Sequence, residues 1–260
     1  MSTLRAQIRR ALPRPLRRWA GRWHYLRTVR AFSADRWPEA EGVRRLIRPG
    51  DTVADIGANI GYISRLLAEW TGPSGHVLAF EPVPENAEAL AWTMRRLSLA
   101  QVEVWPVALS DHEGEAELTL PRGEGELYRG SLEPVAGEAL RRLRVPVSTL
   151  DAQWADRATG PRFLKIDVEG HAEAVLRGAR TVLERWRPSL LVEAEGDIGD
   201  PSQSAGRIAR ALAPFGYQPR FWADDRFADE PEEPGRDVFF LPDPADGYQN
   251  RDPQNSLPPF

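Results

Sequence analysis

Short apolar segments that suit β-strands alternate along this chain with amphipathic segments that suit α-helices. Strand patterns lie at 52–56, 76–80, 102–109, 163–168 and 189–193, and helical patterns lie at 60–70, 84–97, 171–186 and 202–213. Strands that alternate with helices through short links form parallel sheets, so this order predicts an α/β fold with a doubly wound, mostly parallel sheet. Strand patterns at 217–222 and 237–241 have no helix between them and predict an antiparallel edge hairpin.

The segments around this region differ from it in composition. Residues 1–36 carry ten Arg and one Asp, whereas the rest of the chain carries 24 basic and 37 acidic residues. Apolar residues in steps of three and four predict a basic amphipathic N-terminal helical arm at 1–36, divided by prolines into two helices. Residues 37–241 form the predicted main domain, with 121–143 as a loop insertion, and 242–260 form a Pro-rich C-terminal tail.

Composition narrows the function classes and the partners. The chain has no cysteine, which excludes disulfides, thiolate metal sites and cysteine nucleophiles. No apolar run reaches the length of a membrane span, and no apolar segment follows the basic N-terminus, so we expect a cytoplasmic protein. Three roles stay open for the arm: packing as a lid or dimer contact, peripheral contact with an anionic membrane, or binding of an acidic acceptor. The oligomeric state is left open.

A glycine-rich turn, DIGANIG at 55–61, joins the first predicted strand to the first helix. Glycines let the backbone approach a ligand closely, and free amides at a helix start attract a negative group. Glu81 ends the second strand, where its carboxylate can accept hydrogen bonds from both hydroxyls of a ribose. Turn and acid together predict an adenosine-containing cofactor, with a ligand-free turn as the alternative. The spacing is not Gly-x-Gly-x-x-Gly, and Asp55 and Asn59 suit a methionine-bearing nucleoside.

The fourth main strand carries charges where a central parallel strand is normally apolar. Lys165, Asp167 and Glu169 alternate onto one face of it, and Lys165 is the single lysine among 34 basic residues. Burying ions costs several kcal/mol each unless they are paired. We therefore interpret these residues as lining an active site, with a Lys165–Asp167 ion pair that only holds the sheet as the alternative.

His171 follows this strand at the start of a predicted helix. A neutral imidazole there could take a proton from an attacking hydroxyl, although a simple helix-start residue is an equal alternative. Asp167, Glu169, His171 and Glu193 could also form an oxygen-rich magnesium site, so a divalent metal is possible but nothing in the sequence requires it.

Six segments in the same order along the chain together resemble the FkbM family of methyltransferases. They are DIGANIGY (55–62), FEPVPEN (80–86), ALSD (108–111), TLD (149–151), LKIDVEGH (164–171) and GA (178–179). The resemblance implies a class I methyltransferase fold, which is Rossmann-like, and S-adenosylmethionine as methyl donor. It also implies O-methylation, often of a sugar hydroxyl in a glycan or glycosylated metabolite.

The resemblance also assigns roles by position. Asp55, Gly57 and Asn59 would surround the methionine part, Glu81 would hold the ribose, and Ala108 with Ser110 would lie near the adenine. The full set of expected cofactor contacts is Asp55, Gly57, Ala58, Asn59, Gly61, Glu81, Ala108 and Ser110. The expected catalytic group is Lys165, Asp167, Glu169 and His171, with His171 as the base. Family members often have an acid directly after this histidine position, where this chain has Ala172 and then Glu173.

Three other functions remain alternatives: a nicotinamide-dependent oxidoreductase, an RNA ribose methyltransferase, and a nucleoside-binding module without catalysis. The missing dinucleotide glycine spacing argues against the first. Nucleic acid is not the expected partner, because no Asn/Asp-Pro-Pro-aromatic motif follows the fourth strand and the cysteine-dependent C5 route has no cysteine. We expect a small-molecule or glycan acceptor.

Overall fold

The computed structural model describes residues 14–121, 140–231 and 237–243, which contain two β-sheets. The strands in chain order are β1 (Thr52–Ile56), β2 (His76–Phe80), β3 (Val102–Trp105), β4 (Ala108–Leu109), β5 (Gly114–Pro121), β6 (Leu140–Ser148), β7 (Phe163–Ile166), β8 (Ser189–Glu193), β9 (Tyr217–Ala223), β10 (Arg226–Ala228) and β11 (Asp237–Pro242). The larger sheet has the order β10-β9-β11-β8-β7-β1-β2-β3, and the smaller sheet has the order β4-β6-β5.

Helices connect most of the parallel strands. In chain order the described α-helices are α1 (Arg14–Ala31), α2 (Ala40–Leu46), α3 (Tyr62–Thr71), α4 (Pro84–Arg96), α5 (Leu150–Trp154), α6 (Ala172–Arg177), α7 (Arg180–Trp186) and α8 (Ser204–Leu212), with 3-10 turns at Ala34–Arg36 and Ala213–Phe215. None of them is long and apolar enough to cross a membrane.

The predicted α/β architecture is confirmed. The five strands β3, β2, β1, β7 and β8 are parallel, and β1 lies near the middle with all five of its residues buried. Because parallel strands are covered by helices on both faces, their apolar runs form the core. The carboxyl ends of β1, β2 and β7 therefore meet at one edge, where α/β folds bind ligands.

The antiparallel hairpin is present, with one strand placed differently from a simple edge pair. β9 and β11 pair antiparallel, but β11 also pairs antiparallel with β8 and so lies inside the sheet. Its residues Val238, Phe239 and Phe240 are buried, which is why it takes the inner position. The short strand β10 forms the outer edge.

Three predicted boundaries are wrong. The segment 102–109 is divided between two sheets, since Pro106 lacks the N–H that would continue the ladder of β3. The insertion predicted at 121–143 is too long at its end, because β6 begins at Leu140; residues 122–139 lie outside the described residues. The helix predicted at 171–186 is two helices, α6 and α7, separated at Gly178.

The described part of the arm lies against the main domain. The second predicted helix corresponds to α1, with Pro15 in its first turn. Tyr25 and the fully buried Val29 pack against a cluster that includes Ala58 and Ile60 of the glycine-rich turn. The first predicted helix, and 244–260 of the tail, lie outside the described residues. A domain boundary at residue 36 stays a prediction.

Candidate active site

A cleft opens at the carboxyl edge of the parallel strands, beside the smaller sheet. Its walls come from the turns after β1, β2 and β7 and from strands β4 and β5. The lining residues are Ile56, Gly57, Ala58, Asn59, Tyr62, Ile63, Phe80, Glu81, Pro82, Val83, Val107, Ala108, Leu109, Leu118, Lys165, Asp167, Val168, Glu169 and His171. The turn after β7 contributes the carboxylates of Asp167 and Glu169, and the turn after β2 contributes that of Glu81. Strands β4 and β5 contribute apolar side chains.

The glycine-rich turn forms the floor of this cleft. Gly57 has a φ of +83°, and a Cβ added to it would lie 1.8 Å from the carbonyl oxygen of Asp167, so only glycine fits here. The amides of Gly57 and Ala58 donate to the carbonyl of Phe80, and the amide of Asn59 donates to Glu81. These three amides join the ends of β1 and β2, so they are not among the free amides that the sequence predicts for the start of the helix.

Glu81 is a buried acid that is held in place by three donors. Its Oε2 accepts from the Asn59 amide at 2.8 Å, and its Oε1 accepts from the Val83 amide at 2.9 Å and from Asn86 Nδ2 at 3.4 Å. Burial raises the pKa of Glu81 to about 7, although these hydrogen bonds oppose the shift. Each carboxylate oxygen has two lone pairs, so Glu81 can still accept hydroxyl hydrogens from the cleft.

Lys165 lies between two acids under the cleft floor. Its Nζ is 2.9 Å from Asp167 Oδ2 and 3.7 Å from Asp55 Oδ1. Asp55 and Lys165 are register partners on β1 and β7, and Asp55 also accepts a hydrogen bond from Ser64 at 2.6 Å. Burial alone would lower the pKa of Lys165, but the Asp167 and Asp55 carboxylates outweigh it and raise the pKa. Lys165 thus both forms an ion pair with Asp167 and lines the cleft.

The chain turns sharply after β7, which ends the strand alternation before Glu169. Glu169 has a φ of +48° and Gly170 has a φ of +89°, both in the left-handed region. Glu169 still lines the cleft, and the turn brings His171 to the cleft wall as the N-cap of α6. His171 Nε2 lies 2.9 Å from Ser110 Oγ.

Nine of the twelve predicted site residues line the cleft, and three lie behind its walls. Asp55 is fully buried beside Lys165, and Gly61 caps α3 with its missing side chain facing Leu90. Ser110 is also buried and contacts His171, which differs from its expected place near adenine. Sequence reasoning missed the apolar lining from Tyr62, Val83, Val107, Leu109 and Leu118. Tyr62 follows the glycine-rich turn, which was a usable signal.

The predicted magnesium site gains no support from the described residues. No group of three or more histidine, aspartate and glutamate side chains there is arranged to hold a metal ion. Glu193 lies at the end of β8, where its register partner is Asp237 of β11. A divalent metal remains only an option for this protein.

The cleft fits a nucleoside that carries a methionine chain. Its apolar side, with Val83, Ala108 and Leu118, suits a purine ring, and Glu81 lies between that side and the glycine-rich turn. The acids Asp167 and Glu169 suit the positive charges of a sulfonium and an ammonium. Because Gly57 has no Cβ, the glycine-rich turn can lie close to the turn after β7.

The profile of a protein family described as the methyltransferase FkbM domain matches residues 55–219. The chain belongs to the FkbM methyltransferase family. A similar solved structure is the FkbM methyltransferase of Methylobacillus flagellatus KT, with a TM-score of 0.50 and 17% identity over 78% of this chain and 50% of that chain. At that identity the similarity shows the fold alone.

Two curated relatives match short segments. The protein-L-isoaspartate O-methyltransferase of Ignicoccus hospitalis is 38% identical over 58 residues, which is 22% of this chain and 28% of the relative. That of Aeropyrum pernix is 54% identical over 41 residues, which is 16% of each chain. Because the matches span less than a third of these relatives, their substrate is not assigned to this chain.

The family match and the fold together give this chain an FkbM methyltransferase domain of the class I fold, for which S-adenosylmethionine is the methyl donor. The oxidoreductase alternative is thereby removed, and the predicted fold, family and cofactor are confirmed. The roles of single residues at the site stay predictions, as does a cytoplasmic location.

Proposed function

We propose that this FkbM methyltransferase transfers a methyl group to a hydroxyl oxygen of a sugar, in a glycan or a glycosylated metabolite. The observation that carries the proposal is His171, a half-buried imidazole on the cleft wall next to the acids Asp167 and Glu169. A hydroxyl is a weak nucleophile at neutral pH, so its methylation benefits from a base that takes the proton. His171 is the histidine that lines this cleft.

The cofactor supplies an electrophilic methyl group on a sulfonium when it is bound. Glu81 would hold the nucleoside by accepting hydrogen bonds from its ribose, and Asp167 and Glu169 would interact with its positive charges. His171 accepts the hydroxyl proton while the new carbon–oxygen bond forms and the carbon–sulfur bond breaks. The imidazolium then releases this proton to water. Much of the rate comes from holding both reactants in line.

The charges of the cleft favour a neutral acceptor that is rich in hydroxyl groups. Asp167 and Glu169 give this part of the cleft a negative charge, and Lys165 is occupied by two acids. A phosphate or carboxylate on the acceptor would be repelled close to the transferred methyl group. A neutral sugar avoids this repulsion.

The test combines a base variant with an acceptor panel. His171→Ala should lower kcat by about 10²–10⁴-fold and leave S-adenosylhomocysteine affinity unchanged. His76→Ala is the matched control, because His76 is exposed at the opposite end of β2. Transfer of a labelled methyl group to neutral oligosaccharides should be detected, and label on RNA ribose instead would overturn the sugar assignment. Activity of His171→Ala within a few-fold of wild type would remove His171 as the base.

A further inference from the structure

Ser110 contacts the proposed base from behind the cleft wall. Its hydroxyl oxygen lies 2.9 Å from His171 Nε2 and 3.3 Å from Asp111 Oδ1. Ser110 is only 1% exposed. Cofactor contact does not explain this buried hydroxyl, because Ser110 is absent from the cleft lining.

We propose that Ser110 is a positioning residue for His171. The Ser110 hydroxyl oxygen accepts the Nε2–H of the imidazole, and the hydroxyl donates its own hydrogen to Asp111. This arrangement rests on the proposed function, in which His171 is the base. It assigns the proton of the neutral imidazole to Nε2 and makes Nδ1 the nitrogen that takes the hydroxyl proton of the acceptor.

The direction of these hydrogen bonds follows from the charge on Asp111. Hydrogen bonds from His112 and Arg177 hold the pKa of Asp111 well below its usual range, so its carboxylate is ionised and can only accept. Arg177 Nε lies 2.9 Å from Asp111 Oδ2. A serine hydroxyl has one hydrogen, so a hydroxyl that donates to Asp111 must accept from His171.

The backbone around Ser110 is fixed independently of His171. The Ser110 amide donates to the carbonyl of Ser148 at 2.9 Å. Gly178 lies so close that an added Cβ would be 2.0 Å from the Ser110 carbonyl oxygen. The segment after β4 is therefore held against α6, which is the helix that begins beside His171.

The same chain of contacts stabilises the charged state of the base. When His171 takes a proton on Nδ1, the imidazolium is positive and its Nε2–H becomes a stronger donor. Ser110 passes this interaction on to the Asp111 carboxylate. No proton needs to move from His171 to Asp111, so Ser110 acts by orientation and polarisation alone.

The first measurement reads the tautomer and does not depend on activity. Nitrogen-15 NMR of histidine-labelled protein should show neutral His171 with its proton on Nε2, and this proton should exchange slowly with water. The chain has four histidines, so His171→Ala assigns the signal. Ser110→Ala should make this proton exchange rapidly and should populate the other tautomer. A wild-type proton on Nδ1, or an unchanged signal in Ser110→Ala, would overturn the proposal.

The second measurement asks whether this orientation matters to turnover. Ser110→Ala should lower kcat by roughly threefold to tenfold, the range of one neutral hydrogen bond, with KM and S-adenosylhomocysteine affinity unchanged. Ser148→Ala is the matched control, since Ser148 is a buried serine at the end of β6 whose hydroxyl contacts Gln153. A normal kcat in Ser110→Ala contradicts the positioning role. If His171→Ala keeps its activity but the NMR result is as expected, His171 is not the base, and the hydrogen bond between Ser110 and His171 is still supported.

Discussion

Replacing Glu81 with glutamine removes one negative charge from the nucleoside end of the cleft with little change in shape. Glutamine keeps one acceptor oxygen, but its amide nitrogen then faces the amide of either Asn59 or Val83, which are the donors to the two carboxylate oxygens. If Glu81 accepts ribose hydroxyls, the variant also loses a hydrogen bond to a charged acceptor, which contributes about 1.5–3 kcal/mol. We expect Glu81→Gln to bind S-adenosylhomocysteine about 10–150-fold more weakly at pH 8.

The pH dependence makes this prediction specific. The pKa of Glu81 in the folded protein without cofactor is raised to about 7, so the carboxyl is largely protonated at pH 6. Hydroxyl donors favour the ionised form, so cofactor affinity should rise about tenfold from pH 6 to pH 8 in the wild type. The affinity of Glu81→Gln should show no such rise. Calorimetric titrations at pH 6, 7 and 8 measure both.

Protein stability should respond in the opposite direction to pH. The raised pKa means that the folded state binds the Glu81 proton more tightly than the unfolded chain does. Protonation of Glu81 therefore contributes fully to the free energy of unfolding below pH 4.5, and this contribution is lost as pH rises through 7. The loss amounts to about 3 kcal/mol for a shift from 4.5 to 7. Urea denaturation should therefore show the wild type losing stability relative to Glu81→Gln between pH 5 and pH 8.

Glu39 supplies the matched control. Burial and the nearby Asp237 raise its pKa to about 7 as well, but Glu39 does not line the cleft. Glu39→Gln should thus change the pH dependence of stability without changing cofactor affinity. A wild-type affinity that is independent of pH, or a Glu81→Gln affinity equal to the wild type, would refute the ribose assignment.

Two further predictions concern the buried cation and the arm. Lys165→Arg should lower the free energy of unfolding by about 1–3 kcal/mol, because a wide guanidinium must fit where a compact ammonium lies between Asp55 and Asp167. If urea denaturation shows that Lys165→Arg is as stable as the wild type, the fold does not require lysine at this position. We also propose that the arginine-rich segment 1–36 contacts anionic membranes peripherally. Full-length protein should then sediment with phosphatidylserine vesicles at low salt and be released at high salt; no sedimentation at low salt would exclude this contact.

The sheet could be predicted because its strands have the apolar composition that burial on both faces demands. The errors arose where a local signal opposed that composition. The start of β6, including Arg142, lay in a stretch rich in Gly, Glu and Arg that predicted a loop. In the structure Arg142 and Arg144 alternate with inward residues and pair with Glu117 and Glu115 of β5. Such cross-strand pairs are visible only when the partner strand is known.

The site could be predicted as a set of residues but not as a set of contacts. Lys165, Asp167 and Glu81 were found because charges at strand ends are costly without a purpose. The place of Ser110 could not be found, because its position depends on how the segment after β4 meets α6 at Gly178. Contacts between segments far apart in the chain leave no periodic signal in a single sequence.

The arm shows a different limit, since its apolar stripe suits a bilayer and a protein surface equally. The fold decides for part of it: Tyr25 and Val29 pack against the glycine-rich turn, and Phe32 contacts the ring of Tyr62 at a centroid distance of 5.1 Å. Arg27 and Arg30 remain exposed on α1. The described apolar residues Tyr25, Val29 and Phe32 therefore support the cofactor cleft, while Arg27 and Arg30 stay available to an anionic surface.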